Sequence, residues 1–213
     1  KVIDISTDKA VDPFNHYGVT KACSEKMIIN ASFNYITDTK FVCIRGGNVL
    51  GTNGSVIPLF KSQILSDNYV TLTDPEMTRY LMSTKDAIGL VFQAVKLSIG
   101  GEIFVMRMPA TSVENIANGL IEMFGNKDTK IDIIGTRPGE KMDEVLVSKN
   151  EAPFTKIIDD KYYVVLPQNI NHELDELYAK NENIQTEEFN SRNADQITSS
   201  ELISILEGES WLK

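Results

Sequence analysis

Hydrophobic and polar positions in the first quarter of the chain predict a β-strand, a long α-helix and a second β-strand. Residues 2–6 alternate and are largely apolar, and residues 40–45 repeat this pattern, which is typical of strands. Between them, residues 15–36 carry apolar side chains at helical spacing, with Met27 among those expected to face inward. Two strands joined by a long helix form a β-α-β unit, so we expect a parallel sheet. The Gly-rich turn 46–51 follows at a strand end, where open α/β sheets bind ligands.

Helical and extended patterns alternate through the rest of the chain up to about residue 166, which predicts an α/β fold. Two helices follow capping signatures that begin at Ser83 and Thr111. The first of these helices carries its apolar side chains, including Ile88 and Phe92, on one face. The other expected elements are a helix over 55–65, strands over 69–73, 102–105, 130–134 and 162–166, and a short helix after Thr198.

Composition is typical of a folded globular protein. Hydrophobic residues make up 42% and charged residues 24%, and no apolar run approaches the roughly 18 residues of a membrane span. The net charge of −9 argues against duplex nucleic acid as a partner. The two cysteines, Cys23 and Cys43, form no CxxC motif, which predicts a reducing, cytoplasmic location and argues against a metal site.

The negative charge is concentrated near the C-terminus. Residues 1–168 contain 18 Lys and Arg against 20 Asp and Glu, whereas residues 169–213 contain 3 against 10. One interpretation of the second segment is a solvated appendage with some helix. The other is an arm that contacts a second subunit and ends in an apolar anchor at Trp211 and Leu212.

Tyr17 and Lys21 are the first candidates for chemistry. Their four-residue spacing places them one helical turn apart on the same face. The pKa of a free tyrosine lies near 10, and a neighbouring ammonium lowers it, so this pair suits proton transfer coupled to hydride transfer. Most such pairs are ordinary surface positions, but here the preceding strand ends in Ser6 and Thr7, which favours catalysis.

The longer pattern around this pair resembles a known superfamily. The sequence STDKA at residues 6–10, followed by DPxNxYGxTK at residues 12–21, is similar to the extended short-chain dehydrogenases/reductases. The Asp8-Lys9 pair narrows the resemblance to the polysaccharide-biosynthesis branch, which includes the inverting UDP-N-acetylglucosamine 4,6-dehydratases. Further matching blocks are RGGNVLG with GSVIPLF from residue 45, LTDPEMTRY from residue 72, GEIFV from residue 101 and GTRPGEK from residue 135.

The resemblance covers about residues 1–166 and implies a domain organisation. We expect the C-terminal part of a doubly wound, Rossmann-like parallel sheet together with a small α/β substrate-binding lobe. Residues 1–50 are assigned to the second half of the dinucleotide-binding domain, residues 51–168 to a mixed segment of main domain and UDP-sugar-binding lobe, and residues 169–213 to an acidic tail with a short C-terminal helix. The 13 glycines form no GxGxxG motif, so we expect the chain alone to be inactive and to bind NADP only weakly.

The resemblance also implies roles for five catalytic residues. Tyr17 removes the proton of the C4 hydroxyl of the sugar, and Lys21 tunes Tyr17 and holds the nicotinamide ribose. Thr7 hydrogen-bonds the C4 oxygen. Asp8 protonates the departing C6 hydroxyl, and Lys9 removes the C5 proton. An acid and a base beside one carbon–carbon bond suit this elimination, although Asp8 and Lys9 taken alone could be a surface ion pair.

Binding roles follow from the same resemblance. The cofactor is NADP, with NAD as the alternative, and the substrate is a UDP-sugar. The complete protein is expected to form a homo-oligomer. The implied cofactor-binding residues are Tyr17, Lys21, Val49, Leu50 and Gly51, and the implied substrate-binding residues are Asn48, Val56, Thr73, Arg79, Arg137 and Glu140.

Three functions remain open at this point. The first is NADP-dependent 4,6-dehydration of UDP-N-acetylglucosamine for surface polysaccharide, with inversion at C5. The second is a sugar-nucleotide 4-epimerase or reductase, which needs Tyr17 and Lys21 but not Asp8 and Lys9. The third is a non-catalytic sugar-nucleotide-binding module, which the missing Gly-rich motif favours for this chain.

Overall fold

The computed structural model describes residues 1–34, 38–52, 54–169, 171–209 and 212. The chain forms two compact units, and each is assembled from three stretches of sequence. Unit 1 comprises residues 1–47, 83–108 and 145–190, and unit 2 comprises residues 48–82, 109–144 and 191–213.

Strands and helices alternate along the described chain. The strands are β1 (Val2–Thr7), β2 (Phe41–Gly46), β3 (Tyr69–Leu72), β4 (Thr78–Tyr80), β5 (Ile103–Met106), β6 (Ala110–Ser112), β7 (Lys130–Ile133), β8 (Val145–Val147), β9 (Thr155–Ile157), β10 (Tyr162–Val165) and β11 (Phe189–Asn190). The helices are α1 (His16–Asn34), α2 (Val56–Asp67), α3 (Thr84–Leu97), α4 (Val113–Phe124), α5 (His172–Tyr178) and α6 (Ser199–Glu207). Short 3₁₀ turns cover Asp8–Ala10 and Ala152–Phe154.

A five-stranded sheet in the order β1-β2-β5-β10-β9 forms the centre of unit 1. β1, β2 and β5 run parallel, and Ile3 pairs with Val42 and Ile44 with Phe104. This arrangement confirms the predicted α/β fold with a parallel-rich sheet. The strand predicted over 162–166 also joins this sheet, but it runs antiparallel to β5 and is followed outward by antiparallel β9.

The helices of unit 1 pack on this sheet with faces that the sequence pattern only partly predicts. α1 packs against β1 and β2, but Met27 is 67% exposed, so the expectation that it faces inward is wrong. α3 begins as predicted, since Ser83 Oγ accepts the Asp86 N–H at 3.1 Å. Its buried residues are Leu90 and Ala94, whereas Phe92 is 67% exposed. The predicted apolar face of α3, which includes Ile88 and Phe92, is therefore largely exposed.

Unit 2 is built around a core between helices and short strands. β3 pairs parallel with β7, and β4 pairs antiparallel with β6. The N-cap of α4 is Ser112, one residue after the predicted cap Thr111. Ser112 Oγ accepts the Asn115 N–H at 3.0 Å. Thr111 instead donates to Ile197 O at 2.8 Å. The core contains buried side chains from α2, β3, α4 and α6, including Ile57, Phe60, Leu72, Ile116, Leu120 and Leu202.

The acidic segment after residue 168 is divided between the two units and contributes buried side chains to both. Leu174 of α5 is fully buried in unit 1, and Leu202 of α6 is fully buried in unit 2. The predicted capping box at the start of α6 is present, with Thr198 and Glu201 bonding each other's backbone N–H. Leu212 is buried, whereas Trp211 lies outside the described residues.

The functional division into residues 1–50, 51–168 and 169–213 stays a prediction. Among the described residues, no helix combines the length and apolar character needed to cross a membrane.

Candidate functional site

The turn that follows β1 holds three predicted catalytic residues together. Asp8 is fully buried, and its Oδ1 accepts the Thr7 hydroxyl at 2.7 Å and the Lys9 ammonium at 3.0 Å. Its Oδ2 is also buried and has no hydrogen-bond partner among the described residues. Leaving a buried carboxylate oxygen unbonded costs free energy, so native proteins rarely do so without a reason. This oxygen therefore keeps the capacity to accept a further hydrogen bond.

The first turns of α1 place the other two predicted catalytic residues beside this turn. Asn15 Oδ1 accepts the Gly18 N–H at 2.8 Å, which satisfies one of the unpaired donors at the helix start. Tyr17 is 53% exposed, so its hydroxyl is accessible. Lys21 donates to Ile5 O at 2.6 Å, which ties α1 to β1. An exposed phenol one turn from a tethered ammonium is an arrangement suited to proton transfer.

Gly18 allows α1 to approach the Asp8–Lys9 turn closely. A Cβ at this position would lie 2.2 Å from Lys9 O and 3.2 Å from Pro13 Cβ. Real Cβ atoms do not approach backbone oxygens so closely, so only glycine fits without displacement of the turn. The position of Lys9 therefore depends on the presence of glycine at position 18.

A buried network of charges links α1 to β2. Arg45 is 2% exposed and donates to both oxygens of Glu25, at 2.8 Å from Nε and 2.6 Å from Nη2. It also donates to both oxygens of Glu151, at 3.0 and 2.8 Å, and to Leu146 O at 3.1 Å. The sequence patterns did not identify these residues as functional. A possible signal was the spacing of Tyr17, Lys21 and Glu25, since Glu25 continues the same helical face.

The two carboxylates determine the ionisation of this network. Burial alone would lower the pKa of Arg45, but hydrogen bonding to Glu25 and the charge of Glu151 raise it overall. For Glu151, burial would raise the pKa, but the charge and hydrogen bonds of Arg45 lower it. Glu151 also accepts the N–H and hydroxyl of Ser148, at 3.1 and 2.9 Å. Arg45 and Glu151 are therefore both charged at neutral pH.

In unit 2, all six predicted substrate-binding residues line one cavity of about 190 Å³. The cavity lies among the start of α2, the strands β3 and β4, and the segment around Arg137. Asn48 Oδ1 is buried and has no hydrogen-bond partner among the described residues. The lining residues are Asn48, Gly54, Val56, Leu59, Phe60, Thr71, Thr73, Arg79, Val113, Arg137 and Glu140.

Two guanidinium groups make this cavity suitable for an anion. Arg79 is held from behind, because its Nη1 donates to Thr78 O at 2.7 Å and to Met142 O at 3.2 Å. Its Nε lies 3.7 Å from Glu144, whose side chain is 7% exposed. Arg137 is exposed, and its backbone N–H donates to Glu140 Oε2 at 3.4 Å. Arginine side chains in such positions suit phosphate oxygens.

The predicted cofactor-binding residues Val49, Leu50 and Gly51 belong to unit 2. They differ in burial, in backbone pairing and in backbone conformation. Leu50 packs in the hydrophobic core, and its N–H donates to Met82 O at 2.8 Å. Val49 forms a β-bridge with Met82. Gly51 has a positive φ of 74°, which suits glycine, and is partly exposed.

Comparison with known proteins identifies the family. The sequence model of the polysaccharide biosynthesis protein family matches residues 1–166. The chain belongs to this family. This result confirms the resemblance to the polysaccharide-biosynthesis branch of the extended short-chain dehydrogenases/reductases.

Two relatives are similar to most of this chain. It is 45% identical over 178 residues to the capsular polysaccharide biosynthesis protein CapD of Staphylococcus aureus, covering 82% of this chain and 30% of CapD. It is 38% identical over 208 residues to a UDP-glucose 4-epimerase of Rickettsia bellii, covering 97% of this chain and 61% of the epimerase.

Solved structures support the same fold. Pen from Bacillus thuringiensis aligns with a TM-score of 0.83 and 32% identity, covering 98% of this chain and 62% of Pen. A dTDP-glucose 4,6-dehydratase from Bacillus anthracis, in complex with NAD, aligns with a TM-score of 0.58 and 16% identity over 65% of this chain and 51% of its own. The chain thus spans less than two thirds of the length of each of these proteins.

Gly18→Ala should displace the Asp8–Lys9 turn. Because the new Cβ would overlap Lys9 O, we expect a loss of about 1–3 kcal/mol in the free energy of unfolding, as in other overpacked positions. Urea denaturation measures this loss. Gly89→Ala is the matched control, since its Cβ would meet only Tyr162 Oη, at an ordinary 3.5 Å within α3. Equal stability of the two variants would contradict the proposed close approach.

The stability that Glu151 contributes should disappear on acidification. The pKa of Glu151 is lowered in the folded state from its usual 4.5. Its contribution is therefore fully present above that value and is lost as pH falls through the lower, folded-state pKa. We expect the difference in unfolding free energy between wild type and Glu151→Gln to be larger at neutral pH than in acid. A difference that does not change with pH would show that Glu151 is not ionised in the network.

Proposed function

We propose that the complete protein is a nicotinamide-dependent 4,6-dehydratase of UDP-N-acetylglucosamine that acts in polysaccharide biosynthesis. The observation that carries this proposal is the Asp8–Lys9 pair. Asp8 is fully buried, bonds Lys9 through one oxygen and leaves the other without a described partner, beside the Tyr17–Lys21 helix. An oxidoreductase without an elimination step has no use for this second acid–base pair.

Residues of unit 1 are assigned to the chemistry. Tyr17 takes the proton of the C4 hydroxyl, assisted by Lys21, and Thr7 hydrogen-bonds the C4 oxygen. A bound nicotinamide would supply the hydride chemistry: it would accept the hydride of C4 and return it to C6 as a solvent-derived proton adds to C5. Tyr17 and Lys21 are assigned to the nicotinamide-ribose end of such a cofactor, and Val49, Leu50 and Gly51 stay predicted cofactor-binding residues. NADP is proposed, and NAD is the alternative.

Elimination of water requires a proton to move within the Asp8–Lys9 pair. Asp8 and Lys9 are in contact at 3.0 Å, and the proposed roles use the neutral carboxyl and the neutral amine. Transfer of one proton from Lys9 to Asp8 produces both reactive forms. Lys9 then takes the C5 proton, made acidic by the C4 ketone, and Asp8 protonates the C6 hydroxyl, which leaves as water. The reaction restores ammonium and carboxylate together.

Residues of unit 2 are assigned to the UDP group. Arg79 and Arg137 bind the diphosphate, since both line the same cavity and present guanidinium groups. Glu140 binds a ribose hydroxyl, and Val56 and Thr73 contact the uridine. Asn48, whose Oδ1 has no described partner, contacts the substrate.

The remaining part of the cofactor site is assigned to sequence outside this chain. The 13 glycines form no dinucleotide-binding motif. The chain also covers only 61% of the Rickettsia relative and 62% of Pen. We therefore propose that this chain alone is inactive and that the complete protein, as a homo-oligomer, carries the activity.

A sugar-nucleotide 4-epimerase is the second candidate, because relatives in several Rickettsia species are named UDP-glucose 4-epimerase. Such an enzyme would need Tyr17 and Lys21 but would leave Asp8 and Lys9 idle. The products separate the two functions. A 4-keto-6-deoxy sugar with solvent deuterium at C5 supports the dehydratase, and an unchanged C6 alcohol supports the epimerase.

Tyr17→Phe in the complete protein should abolish turnover and spare UDP binding. Removal of the phenol eliminates the proton acceptor, so we expect product formation to fall by about 10²- to 10⁴-fold. Proton NMR of UDP-N-acetylglucosamine incubated in deuterium oxide measures the product, and calorimetry measures UDP affinity.

Tyr69→Phe provides the control, because Tyr69 lies on β3 and does not line the cavity. It should keep the wild-type rate and product. Undiminished turnover by Tyr17→Phe would refute the assignment of Tyr17, and the absence of any sugar-nucleotide turnover by the wild type would refute the proposed function.

A further inference from the structure

The strongest charged contact between α1 and the sheet lies away from the proposed reacting groups. Glu25 and Arg45 are each 2% exposed and share two hydrogen bonds of 2.8 and 2.6 Å. Other bonds from the middle and end of α1 to the sheet are single, such as Ser24 Oγ to Asp4 at 3.0 Å and Ser32 Oγ to Phe41 O at 2.7 Å. The bidentate pair therefore restricts the orientation of α1 more than either of these bonds.

Glu25 lies on the same helical stripe as the proposed catalytic residues. Tyr17, Lys21 and Glu25 follow each other at intervals of four residues, so they form a row along α1. A sliding or rotation of the helix that moved Tyr17 would also move Glu25. The planar guanidinium of Arg45 tolerates little such movement, because both of its carboxylate partners bind it through two oxygens.

Arg45 is in turn fixed to parts of unit 1 outside α1. It is the fifth residue of β2, and it reaches Leu146 O in β8 at 3.1 Å and Glu151 on the following turn. Ser148 holds Glu151 through its N–H and hydroxyl. The guanidinium thus has a rigid support on one side and α1 on the other.

We propose that Arg45 is the positioning residue of α1, acting through Glu25 to fix where Tyr17 and Lys21 stand relative to the Asp8–Lys9 turn. This inference rests on the proposed function for its catalytic consequence. The side-chain hydrogen bonds of Arg45 go to Glu25, Glu151 and Leu146 O, none of which is assigned to the chemistry. Its effect is to hold the phenol in one place, because displacements of about 1 Å in a catalytic group can cost about 10²-fold in rate.

Two conservative variants of the complete enzyme test this role. Arg45→Lys keeps the positive charge but loses the bidentate fork, and Glu25→Asp keeps the negative charge but shortens the reach by one methylene. We expect kcat to fall by about 10- to 100-fold in each, with the KM for UDP-N-acetylglucosamine changed by less than about threefold. If Arg45→Lys fails to fold, Glu25→Asp carries the test.

Glu151→Gln is the matched control from the same network. It removes the second partner of Arg45 but leaves the two bonds between Arg45 and Glu25. We expect this variant to lose stability and to lose less kcat than Arg45→Lys or Glu25→Asp, because Glu151 acts on α1 only through Arg45, which Leu146 O still holds. Equal loss of kcat in all three variants, or loss of stability with unchanged kcat in Arg45→Lys and Glu25→Asp, would show a purely structural role and overturn the inference.

A second readout does not depend on turnover. Hydrogen exchange of the α1 amides around residues 17–24 should become faster in Arg45→Lys than in Glu151→Gln, because only the first variant weakens the attachment of α1. Unchanged exchange in Arg45→Lys would overturn the positioning role. Absence of wild-type turnover would refute the proposed function alone, and the exchange measurement would still decide the role of Arg45.

Discussion

The buried guanidinium of Arg45 imposes the main constraint on unit 1. A charge that is almost completely removed from water must be paired, and removal of one partner from such a group is strongly destabilising. Arg45 pairs with Glu25 on α1 and with Glu151 on the turn after β8. Through these contacts one residue of β2 determines how the long helix lies on the sheet. The positions of the proposed catalytic residues Tyr17 and Lys21 on α1 depend on this arrangement.

The turn after β1 combines a close approach and incomplete bonding. Gly18 permits a helix–turn approach that no other residue would fit, and Asp8 holds a buried oxygen without a described partner. The unbonded oxygen costs stability, and it lies where Thr7, Asp8 and Lys9 meet. In unit 2, Asn48 likewise keeps an unbonded buried oxygen in the wall of the cavity that contains Arg79 and Arg137. Unsatisfied polar atoms thus occur at both candidate sites.

Sequence patterns predicted the elements that depend on local periodicity and capping. The strands 2–6 and 40–45, the cap at Ser83 and the capping box at Thr198 are all observed. The burial of Glu25 and Arg45 was not predicted, because glutamate and arginine side chains normally lie on the exposed face of an element. The cap of α4 was misplaced by one residue because Thr111 and Ser112 are chemically equivalent caps and only the tertiary bond of Thr111 to Ile197 distinguishes them. The antiparallel β10 depends on long-range pairing that periodicity does not encode.

The most direct test of the proposed chemistry is a single-turnover reaction of Lys9→Gln in the complete protein with UDP-N-acetylglucosamine. Lys9 is assigned to removal of the C5 proton, whereas Tyr17 and Lys21 are assigned to oxidation at C4. We therefore predict that the absorbance of reduced nicotinamide rises and persists while no 6-deoxy sugar forms. Formation of the 6-deoxy product at the wild-type rate would contradict the assignment of the Asp8–Lys9 pair to the elimination.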